Sequence, residues 1–269
     1  MVSINNDDGN LQKIRDTPVT SLISKAIMID PADTLSSVID KISEKNAFDV
    51  FYFNGKSTLS TNMRELLKAK NISKMSVESL IHPIPFIGPN DTIQKAAKII
   101  SDYRTRGVAI VEKNKIVGVV TAKKILELLS TKGNKSIKAK MIYTQNPITI
   151  SSEKPLSNAK KIMTSKRLDH LPVITHGKIK QVLTPAHIIE YILPQERQGK
   201  KSLGIKTSRK LESEIGNMGT TRVPQCTPDD DLNVILKSIL KNDTSCCLVK
   251  IGETLQGIIT FRDILGLLI

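Results

Sequence analysis

The stretch Gly257-Ile-Ile-Thr-Phe-Arg-Asp-Ile-Leu265 decides the fold of this chain, because it joins the end of a strand to the start of a helix. A threonine followed three residues later by an acid is a common way to begin a helix, and Thr260 and Asp263 have this spacing. The chain repeats such a junction upstream, with closing residues Thr61, Thr121 and Thr184. A junction that returns at regular distances indicates a chain built from internal repeats.

A breaking tetrad lies upstream of each closing threonine and marks the start of a helix. The tetrads begin at Pro31, Pro89, Ser152 and Pro228, and the distances to the closing threonines are 30, 32, 32 and 32 positions. Successive closing threonines are 60, 63 and 76 positions apart, so one interval contains an insert. This constancy predicts four copies of one folding unit.

Each unit combines a helical period with two strand-like runs. Apolar residues recur at positions i, i+3, i+4 and i+7 after the tetrads, except that Lys160 takes the i+4 position in the third unit, and this spacing predicts an amphipathic helix. These stripes are Leu35-Val38-Ile39-Ile42, Ile93-Ala96-Ala97-Ile100, Leu156-Ala159-Met163 and Leu232-Ile235-Leu236-Ile239. Two β-rich runs separated by turn residues follow, as at Asn54-Gly55 and His176-Gly177. The pattern predicts an α+β fold of four β-α-β-β-α units, and each unit must pair with another to cover its sheet.

Polar joints divide the chain into parts. We expect an N-terminal tail at 1–16, one two-unit module at 17–130 and a second at 136–269, with the joint at Thr131-Lys-Gly-Asn-Lys-Ser136 between them. A basic insert at 194–217 accounts for the longer last interval, and its polar composition predicts a mobile loop. Whether the two modules close on each other within one chain or pair with a second chain stays open.

Composition narrows the class of protein. The 269 residues carry a net charge of +14, which favours anionic partners such as nucleotides or nucleic acid. Aromatic residues are only 3% of the chain, which argues against a platform that stacks single-stranded bases. No apolar run reaches the 18 or so residues of a membrane span, and the first residues do not form a secretory signal. The three cysteines have neither metal-ligand spacing nor a disulfide framework, so we expect a cytoplasmic protein with buried thiols.

Several motifs resemble those of the cystathionine β-synthase (CBS) domain family. They are Gly107-Val-Ala-Ile-Val111, Gly118-Val-Val-Thr121, Met141-x-x-x-x-Asn146-Pro-Ile-Thr-Ile150, Leu171-Pro-Val-Ile174 and the stretch from Gly257 to Leu265. The resemblance covers about residues 17–269. It implies a stand-alone protein of four CBS repeats, paired into two tandem modules. It further implies that adenosine nucleotides or S-adenosylmethionine bind in clefts between repeats and regulate a partner.

The resemblance also implies which residues contact the ligand. In the family the Thr-x-x-Asp pair holds the ribose, and in the fourth unit an apolar lead-in segment and the middle strand would enclose adenine. The implied nucleotide-binding residues are Val223, Pro224, Cys246, Thr260, Arg262 and Asp263 in the fourth unit, Ile148, His170, Leu171, Pro172 and Thr184 in the third, and Gly107, Val108 and Thr121 in the second. The implied phosphate-binding residues are Arg104, Arg106, Lys124, Lys166 and Arg167.

Each of these assignments has a structural alternative. Thr260 and Asp263 have the spacing of a capping box, which stabilises a helix by about 1 kcal/mol without any ligand. The position of Asp263 is taken by Arg64, Lys124 and His187 in the first three units, and a cation cannot accept hydrogen bonds from ribose hydroxyls. We therefore rank the fourth cleft first, followed by the third, the second and the first. Basic residues at helix ends also have a simpler role, because cations stabilise a helix C-terminus.

Three functions compete at this point. The first is a regulatory protein that binds AMP, ADP, ATP or S-adenosylmethionine, with no catalytic cofactor. The second is RNA or DNA binding, possible in the same molecule, through the basic surface and the insert. The third is an enzyme, which the sequence disfavours because it contains no nucleophile–base set, metal-ligand cluster or Gly-rich phosphate loop. We expect a monomer or homodimer that acts on an unidentified partner protein.

Overall fold

The computed structural model of the chain describes residues 8–70, 75–131, 136–197, 209–218 and 223–269. The helices in these ranges are α1 Asp8–Asp16, α2 Leu35–Glu44, α3 Met63–Leu66, α4 Ile93–Tyr103, α5 Ala122–Thr131, α6 Leu156–Lys166, α7 Pro185–Arg197, α8 Leu232–Lys241 and α9 Phe261–Leu265. The strands are β1 Asp49–Phe53, β2 Thr58–Asn62, β3 His82–Ile84, β4 Gly107–Glu112, β5 Lys115–Thr121, β6 Thr144–Gln145, β7 Ile150–Ser151, β8 Leu171–Thr175, β9 Lys178–Leu183, β10 Gln225–Cys226, β11 Cys246–Ile251 and β12 Thr254–Thr260. The strands form small separate sheets, and the predicted α+β class is confirmed.

The predicted helical stripes are the buried faces of α2, α4, α6 and α8. Leu35, Ile93, Leu156 and Leu232 each begin a helix and are fully buried, as are the apolar residues one turn further on. Thr34 and Thr92 lie just before α2 and α4, and their hydroxyls accept the N–H of the third helical residue. The sequence therefore places these helices through apolar spacing and, in two cases, through a capping hydroxyl.

Each of these helices leads into an antiparallel hairpin, and the first hairpin differs from the other three. The pairs β4–β5, β8–β9 and β11–β12 each contain a bulge, which adds one residue to the second strand. The pair β1–β2 has none and is one residue shorter. The position of Thr260 is consequently taken by Asn62 in the first unit, and the position of Asp263 by Glu65. The predicted closing residue Thr61 and the predicted cation Arg64 are each wrong by one position.

Short lead-in segments connect the units in pairs. Isolated backbone bridges join Pro18 to Thr92, Ser76 to Thr34, Lys138 to Asp231 and Glu214 to Pro155. In each bridge, the segment that precedes one unit pairs with the residue just before the first helix of another unit. Residues 18–70 and 76–131 exchange lead-in segments in this way, and so do residues 138–197 and 214–269. We refer to these four ranges as units 1 to 4.

The insert predicted at 194–217 is shorter than expected at its C-terminal end. Residues 209–218 already belong to the lead-in of unit 4, where Ile215 is buried and the N–H of Leu156 donates to the carbonyl oxygen of Ser213. The N–H of Gly216 similarly donates to the carbonyl of Ser152. The predicted mobility concerns residues 198–208, which lie outside the described residues.

Two large hydrophobic cores form between helices of different halves of the chain. One combines unit 2 with unit 4 through α4, α5, α8 and α9. The other combines unit 1 with unit 3 through α2, α3, α6 and α7. Two smaller clusters lie between strands, with Phe51 against Ala109 and Val119, and Val182 against Cys246. Units 1 and 2, and units 3 and 4, therefore meet through strands, whereas the two halves of the chain meet through helices.

The segment predicted as an N-terminal tail contains a helix that is packed into the first of these cores. Leu11 and Ile14 of α1 are buried against it. The Arg15 guanidinium donates a hydrogen bond of 2.8 Å to the carbonyl oxygen of Leu267, near the other end of the chain. Helix α1 therefore belongs to the folded body.

Candidate functional site

Among the described residues, four cavities lie where the closing residue of one unit meets the lead-in segment of its paired unit. We name each cavity by the closing-junction residue that lines it. The Thr121 cleft has a volume of about 720 Å³, the Asp263 cleft about 400 Å³, the Asn62 cleft about 380 Å³ and the Thr184 cleft about 320 Å³. All four are in the size range, or at the lower edge of it, that holds a small ligand.

The Asp263 cleft contains the carboxylate that the sequence singles out. Oδ2 of Asp263 accepts hydrogen bonds from the N–H and from the hydroxyl of Thr260, each at 2.7 Å. Oδ1 accepts the hydroxyl of Thr144 at 2.7 Å, from the lead-in strand β6 that pairs with β12. The carboxylate thus begins helix α9 as the capping alternative predicts, while it also lines the cavity.

Arginines from four units surround the same cavity. Its walls include Arg64, Arg104, Arg106, Arg167 and Arg262. The acidic group that faces them most directly is Asp169, which lies 2.5 Å from the Arg64 guanidinium and 3.9 Å from that of Arg106. Burial lowers the pKa of Arg104, and the charges of Arg262, Arg167 and Arg64 lower it further. Positive charge is therefore in excess, and the cavity is electrostatically suited to an anion.

Two of these arginines are positioned by an unusual backbone conformation. Arg104 and Arg167 follow the last residues of α4 and α6, and both have a φ of +53°. A left-handed conformation is rare for a residue with a side chain, and glycine is the usual choice at this helix end. The conformation turns each guanidinium across the seam between units 2 and 3. Arg104 donates to the carbonyls of Lys166 and Arg167, and Arg167 donates to that of Tyr103.

The Arg106 side chain lines three of the four cavities. Its guanidinium lies 3.7 Å from the ring centroid of Phe48 and 5.5 Å from that of Phe261, which is within the range of a cation–π contact. It lines the Asp263, Thr121 and Thr184 clefts. Burial lowers the pKa of Arg106, whereas Asp169 and Asp49 raise it. The side chain stays charged, because an arginine pKa lies far above neutral pH.

His170 lies between the Asp263 and Thr184 clefts. Its Nε2 is 2.6 Å from the hydroxyl oxygen of Ser245. Burial lowers the pKa of His170 well below its ordinary value, and the positive charge of Arg106 and the proximity of His187 add to this effect. The ring is therefore neutral at pH 7, and it offers a hydrogen bond to the cavity rather than a charge.

The Thr121 cleft has the same architecture but different chemistry. The predicted phosphate ligand Lys124 does not line it, and its ammonium group pairs with Glu127 at 2.8 Å on the surface. At the helix-end positions of Arg104 and Arg167, units 1 and 4 have Asn46 and Asp243, which hydrogen-bond each other at 2.7 Å. Asp49, a buried carboxyl on this cleft, has its pKa raised to about 6 by burial, although hydrogen bonds from Thr105, Arg106 and Asn62 oppose the rise.

The Asn62 cleft contains an acid that the sequence-based alignment did not find there. Glu65 is 6% exposed and occupies the position of Asp263. Its carboxylate contacts the Lys68 ammonium group, and it lies 3.3 Å from Nε2 of His82. Burial raises the pKa of Glu65, but Lys68, Arg64 and His82 outweigh it, so that the net effect is a lowered pKa. The first three clefts were ranked behind the fourth because a cation replaces the acid in each, and for the first cleft this ground is wrong.

The Thr184 cleft collects residues that were expected beside Asp263. Val223 and Cys246 line it together with Thr184 and His187. The predicted grouping of Val223 and Cys246 with Asp263 is therefore wrong. Units 3 and 4 exchange lead-in segments, so the lead-in of unit 4 completes the cleft of unit 3, and the lead-in of unit 3 completes the cleft of unit 4.

The remaining predicted residues divide between cavity walls and core. Ile148, Thr260, Arg262, Arg104, Arg106, Arg167 and His170 line the Asp263 cleft, and Gly107 and Thr121 line the Thr121 cleft. Leu171, Pro172, Val108 and Pro224 are buried and do not line any of these four cavities, as far as the described residues show. Lys166 contributes its backbone carbonyl to Arg104 rather than its ammonium group to a cavity. The ligand roles expected of these last five residues and of Lys124 have no geometric support here.

Other wall residues were missed by the sequence analysis. Thr144 and Asp169 have no distinguishing motif, because each acts through a unit distant in the sequence. Phe48 and Phe261 stack on Arg106 from two different units. A signal existed only for Glu65, since Asn62-Met-Arg-Glu65 is also a plausible helix start.

Across the ranges that the structure covers, no helix has the length and apolar character of a membrane span.

Comparison with known proteins gives one family and several relatives. The sequence profile described as "CBS domain" matches residues 76–131, 139–194 and 214–269. The chain is 25% identical over 146 residues to inosine-5'-monophosphate dehydrogenase of Korarchaeum cryptofilum, which covers 53% of this chain and 30% of that protein. It is 19% identical to an uncharacterised 33.4 kDa protein of Thermofilum pendens, over 73% of this chain and 65% of that one. The chain thus spans between about a third and two thirds of the length of these relatives.

Solved structures share the whole fold at low sequence identity. A protein from Methanocaldococcus jannaschii, described as a candidate archaeal homologue of g-AMPK, superposes with a TM-score of 0.81 at 14% identity, over 93% of this chain and 99% of that one. An uncharacterised conserved protein from Pyrococcus horikoshii has a TM-score of 0.60 at 19% identity, over 94% and 100% of the two chains. These likenesses establish the fold.

Proposed function

Because the chain belongs to the CBS domain family, we propose that it is a regulatory protein that binds an adenosine nucleotide in the Asp263 cleft. The observation that carries this proposal is that one cavity combines the Asp263 carboxylate with the guanidinium groups of Arg104, Arg106, Arg167 and Arg262. A carboxylate accepts hydrogen bonds from the two hydroxyls of a ribose, and arginines bind phosphate oxygens. A nucleotide presents both kinds of group at once.

The charge of the cavity favours some of the expected ligands over others. S-adenosylmethionine carries a sulfonium cation next to its ribose, which the arginines would repel. AMP, ADP and ATP carry two or more negative charges at the same point. We therefore propose a nucleotide rather than S-adenosylmethionine, with the base against Ile148 and Pro147 and the phosphates toward Arg104 and Arg106.

We further propose that the chain contains a fourth, divergent CBS repeat at 18–70. The family profile begins each matched copy at a lead-in segment, at residues 76, 139 and 214. The bridge from Pro18 to Thr92 gives unit 1 an equivalent lead-in, and its hairpin is antiparallel like the other three but lacks their bulge. The exchanged lead-ins support two tandem modules, at 17–130 and 136–269.

The output of the sensor is proposed to be a change in affinity for a partner protein. The solved relative from Methanocaldococcus jannaschii is described as a candidate archaeal homologue of g-AMPK, which supports a regulatory role by analogy of fold. The likeness to inosine-5'-monophosphate dehydrogenases covers only 30% of the dehydrogenase of Korarchaeum cryptofilum. We propose that this chain has no catalytic activity of its own. We also propose that it is located in the cytoplasm.

Calorimetric titration with AMP, ADP, ATP and S-adenosylmethionine tests the nucleotide proposal. At least one nucleotide should bind the wild type, and at 100 times its dissociation constant it should stabilise the fold by about 2.7 kcal/mol. Asp263→Asn should weaken that nucleotide by about 10-fold or more, since an acceptor for the diol is lost. Asp229→Asn, which removes an exposed carboxylate that pairs with Lys140, is the control and should bind normally. Absence of binding by all four ligands would contradict the proposal.

A further inference from the structure

The hydrogen-bonding capacity of Asp263 is almost exhausted before any ligand arrives. A carboxylate offers about four lone-pair sites. Two are used by the N–H and the hydroxyl of Thr260, and a third by the hydroxyl of Thr144. One acceptor site remains, whereas a vicinal diol presents two hydroxyl donors. A ribose can therefore donate both hydroxyls to Asp263 only if one of the present donors leaves.

Thr144 is the donor that can leave at the lowest cost. The N–H of Thr260 belongs to the start of α9, and its hydroxyl is on the same residue. Thr144 lies in the two-residue strand β6, where both residues are exposed, so its hydroxyl can turn to water by rotation about χ1. The strand itself need not move, because Tyr143 is packed directly against Gly257, where an added Cβ would lie 2.1 Å from the tyrosine ring.

The same contact recurs in the other cleft that has an acid. Thr144 of unit 3 pairs in register with Ile258 of unit 4, two residues before Thr260. His82 of unit 2 pairs with Ser60 of unit 1, two residues before Asn62, and its Nε2 lies 3.3 Å from the Glu65 carboxylate. Two different donor side chains thus reach the acid from the same register position. In both cases a lead-in segment holds the acid of the unit with which it is exchanged.

We propose that Thr144 is a latch that competes with the ribose diol for Asp263 and thereby sets the affinity and the ribose specificity of this cleft. The inference rests on the proposed nucleotide function. In the unliganded protein the latch ties the lead-in of unit 3 to the end of unit 4. Binding of the diol releases the Thr144 hydroxyl, so that nucleotide occupancy is coupled to the tie between these units.

Variants of Thr144 separate a latch from a ligand contact. Thr144→Val removes the hydroxyl and keeps the shape, whereas Thr144→Ser retains the donor. Thr144→Val should bind ADP about 10-fold more tightly than the wild type, because no donor has to be displaced. The gain for 2'-deoxy-ADP should be less than about 2-fold, since the one free acceptor site serves its single hydroxyl. Thr144→Ser should behave as the wild type.

Ser24→Ala is the matched control. Ser24 pairs with Val119 and occupies the same register position as Thr144, but in a cleft whose corresponding residue is Lys124. It should leave ADP binding unchanged. Weaker ADP binding by Thr144→Val would overturn the latch and make Thr144 a ligand contact. An equal gain for ADP and 2'-deoxy-ADP would overturn it as well.

A second measurement keeps the latch testable if the nucleotide function fails. Hydrogen exchange of the backbone amides of residues 142–148 is followed in unliganded Thr144→Val and Thr144→Ser. Faster exchange in Thr144→Val supports the latch, and equal exchange in the two variants overturns it. If Thr144→Val alone binds ADP, the latch is supported. If no variant binds AMP, ADP or ATP, the nucleotide proposal fails, and the exchange result alone decides whether Thr144 ties the lead-in of unit 3 to unit 4.

Discussion

Replacement of Asp49 by asparagine should remove a specific dependence of stability on pH. The Asp49 carboxyl is 7% exposed, and burial raises its pKa from 3.8 to about 6. Below pH 3.8 the group is protonated in both the folded and the unfolded chain. As the pH rises, the unfolded chain releases its proton first, so the free energy of unfolding falls between pH 3.8 and about 6 and is level above that.

The expected magnitude follows from the two pKa values. Their difference corresponds to about 3 kcal/mol of stability lost by pH 7. The substituted asparagine is neutral at every pH, but its amide has one acceptor oxygen where the carboxylate of Asp49 has two. Those two oxygens accept the side-chain N–H of Asn62 at 3.3 Å and the backbone N–H of Arg106 at 2.7 Å. Asp49→Asn should therefore cost about 1–3 kcal/mol at pH 4 and recover most or all of it by pH 7.

Urea denaturation of both proteins from pH 4 to pH 8 measures this effect. The difference in unfolding free energy between variant and wild type should change by about 2.5 kcal/mol in favour of the variant across that range. Titration of His170 and His187 contributes to both proteins and cancels in the difference. Asp33→Asn is the control whose difference from wild type should stay nearly level across this range, since Lys41 lowers the pKa of Asp33 below its ordinary value of 3.8. A difference between Asp49→Asn and wild type that is constant with pH would refute the reasoning.

Three further predictions concern packing, charge and nucleic acid. Gly257→Ala should destabilise the fold by about 1–3 kcal/mol, because its Cβ would overlap Tyr143, whereas Gly266→Ala meets nothing within 4 Å and should be neutral or stabilising in the same thermal melts. Arg64→Met should cost about 3–5 kcal/mol in urea denaturation because it removes the 2.5 Å ion pair of Asp169 and leaves that carboxylate only the 3.9 Å contact with Arg106, and adding Asp169→Leu should restore most of it; a cost that stays in the double variant would contradict this. If RNA or DNA binds through the basic surface, band-shift affinity should fall steeply as salt rises, and no shift at low salt would exclude that function.

Local periodicity was sufficient to predict the repeated parts of the fold. The stripe of Ile93, Ala96, Ala97 and Ile100 is buried as expected, and strands lie on both sides of the predicted turn at Asn54-Gly55. These features depend on residues a few positions apart, so a single sequence contains them. The position of Asp263 beside a cavity also follows from its own junction.

Exchange between units could not be predicted from residue spacing. The lead-in of unit 4 places Val223 beside Thr184, because strand pairing between units, rather than sequence neighbourhood, decides which cleft it completes. The missing bulge of β1–β2 shifts unit 1 by one residue. Residue spacing therefore matched Arg64, rather than Glu65, to the position of Asp263. The role of Thr144 depends on its register against Ile258, which has no signature in composition or period.

The sharing of both large cores between the halves has a consequence for cutting the chain. A break between Thr131 and Ser136 would produce two fragments of two units each. In each fragment the apolar helix faces that pack against the other half would be exposed to solvent. Neither fragment should be stable alone, since the exposed stripes would drive it to self-associate or aggregate. When mixed, the two fragments should associate and re-form the native cores. The covalent link between the halves should therefore affect the rate of assembly more than the final stability.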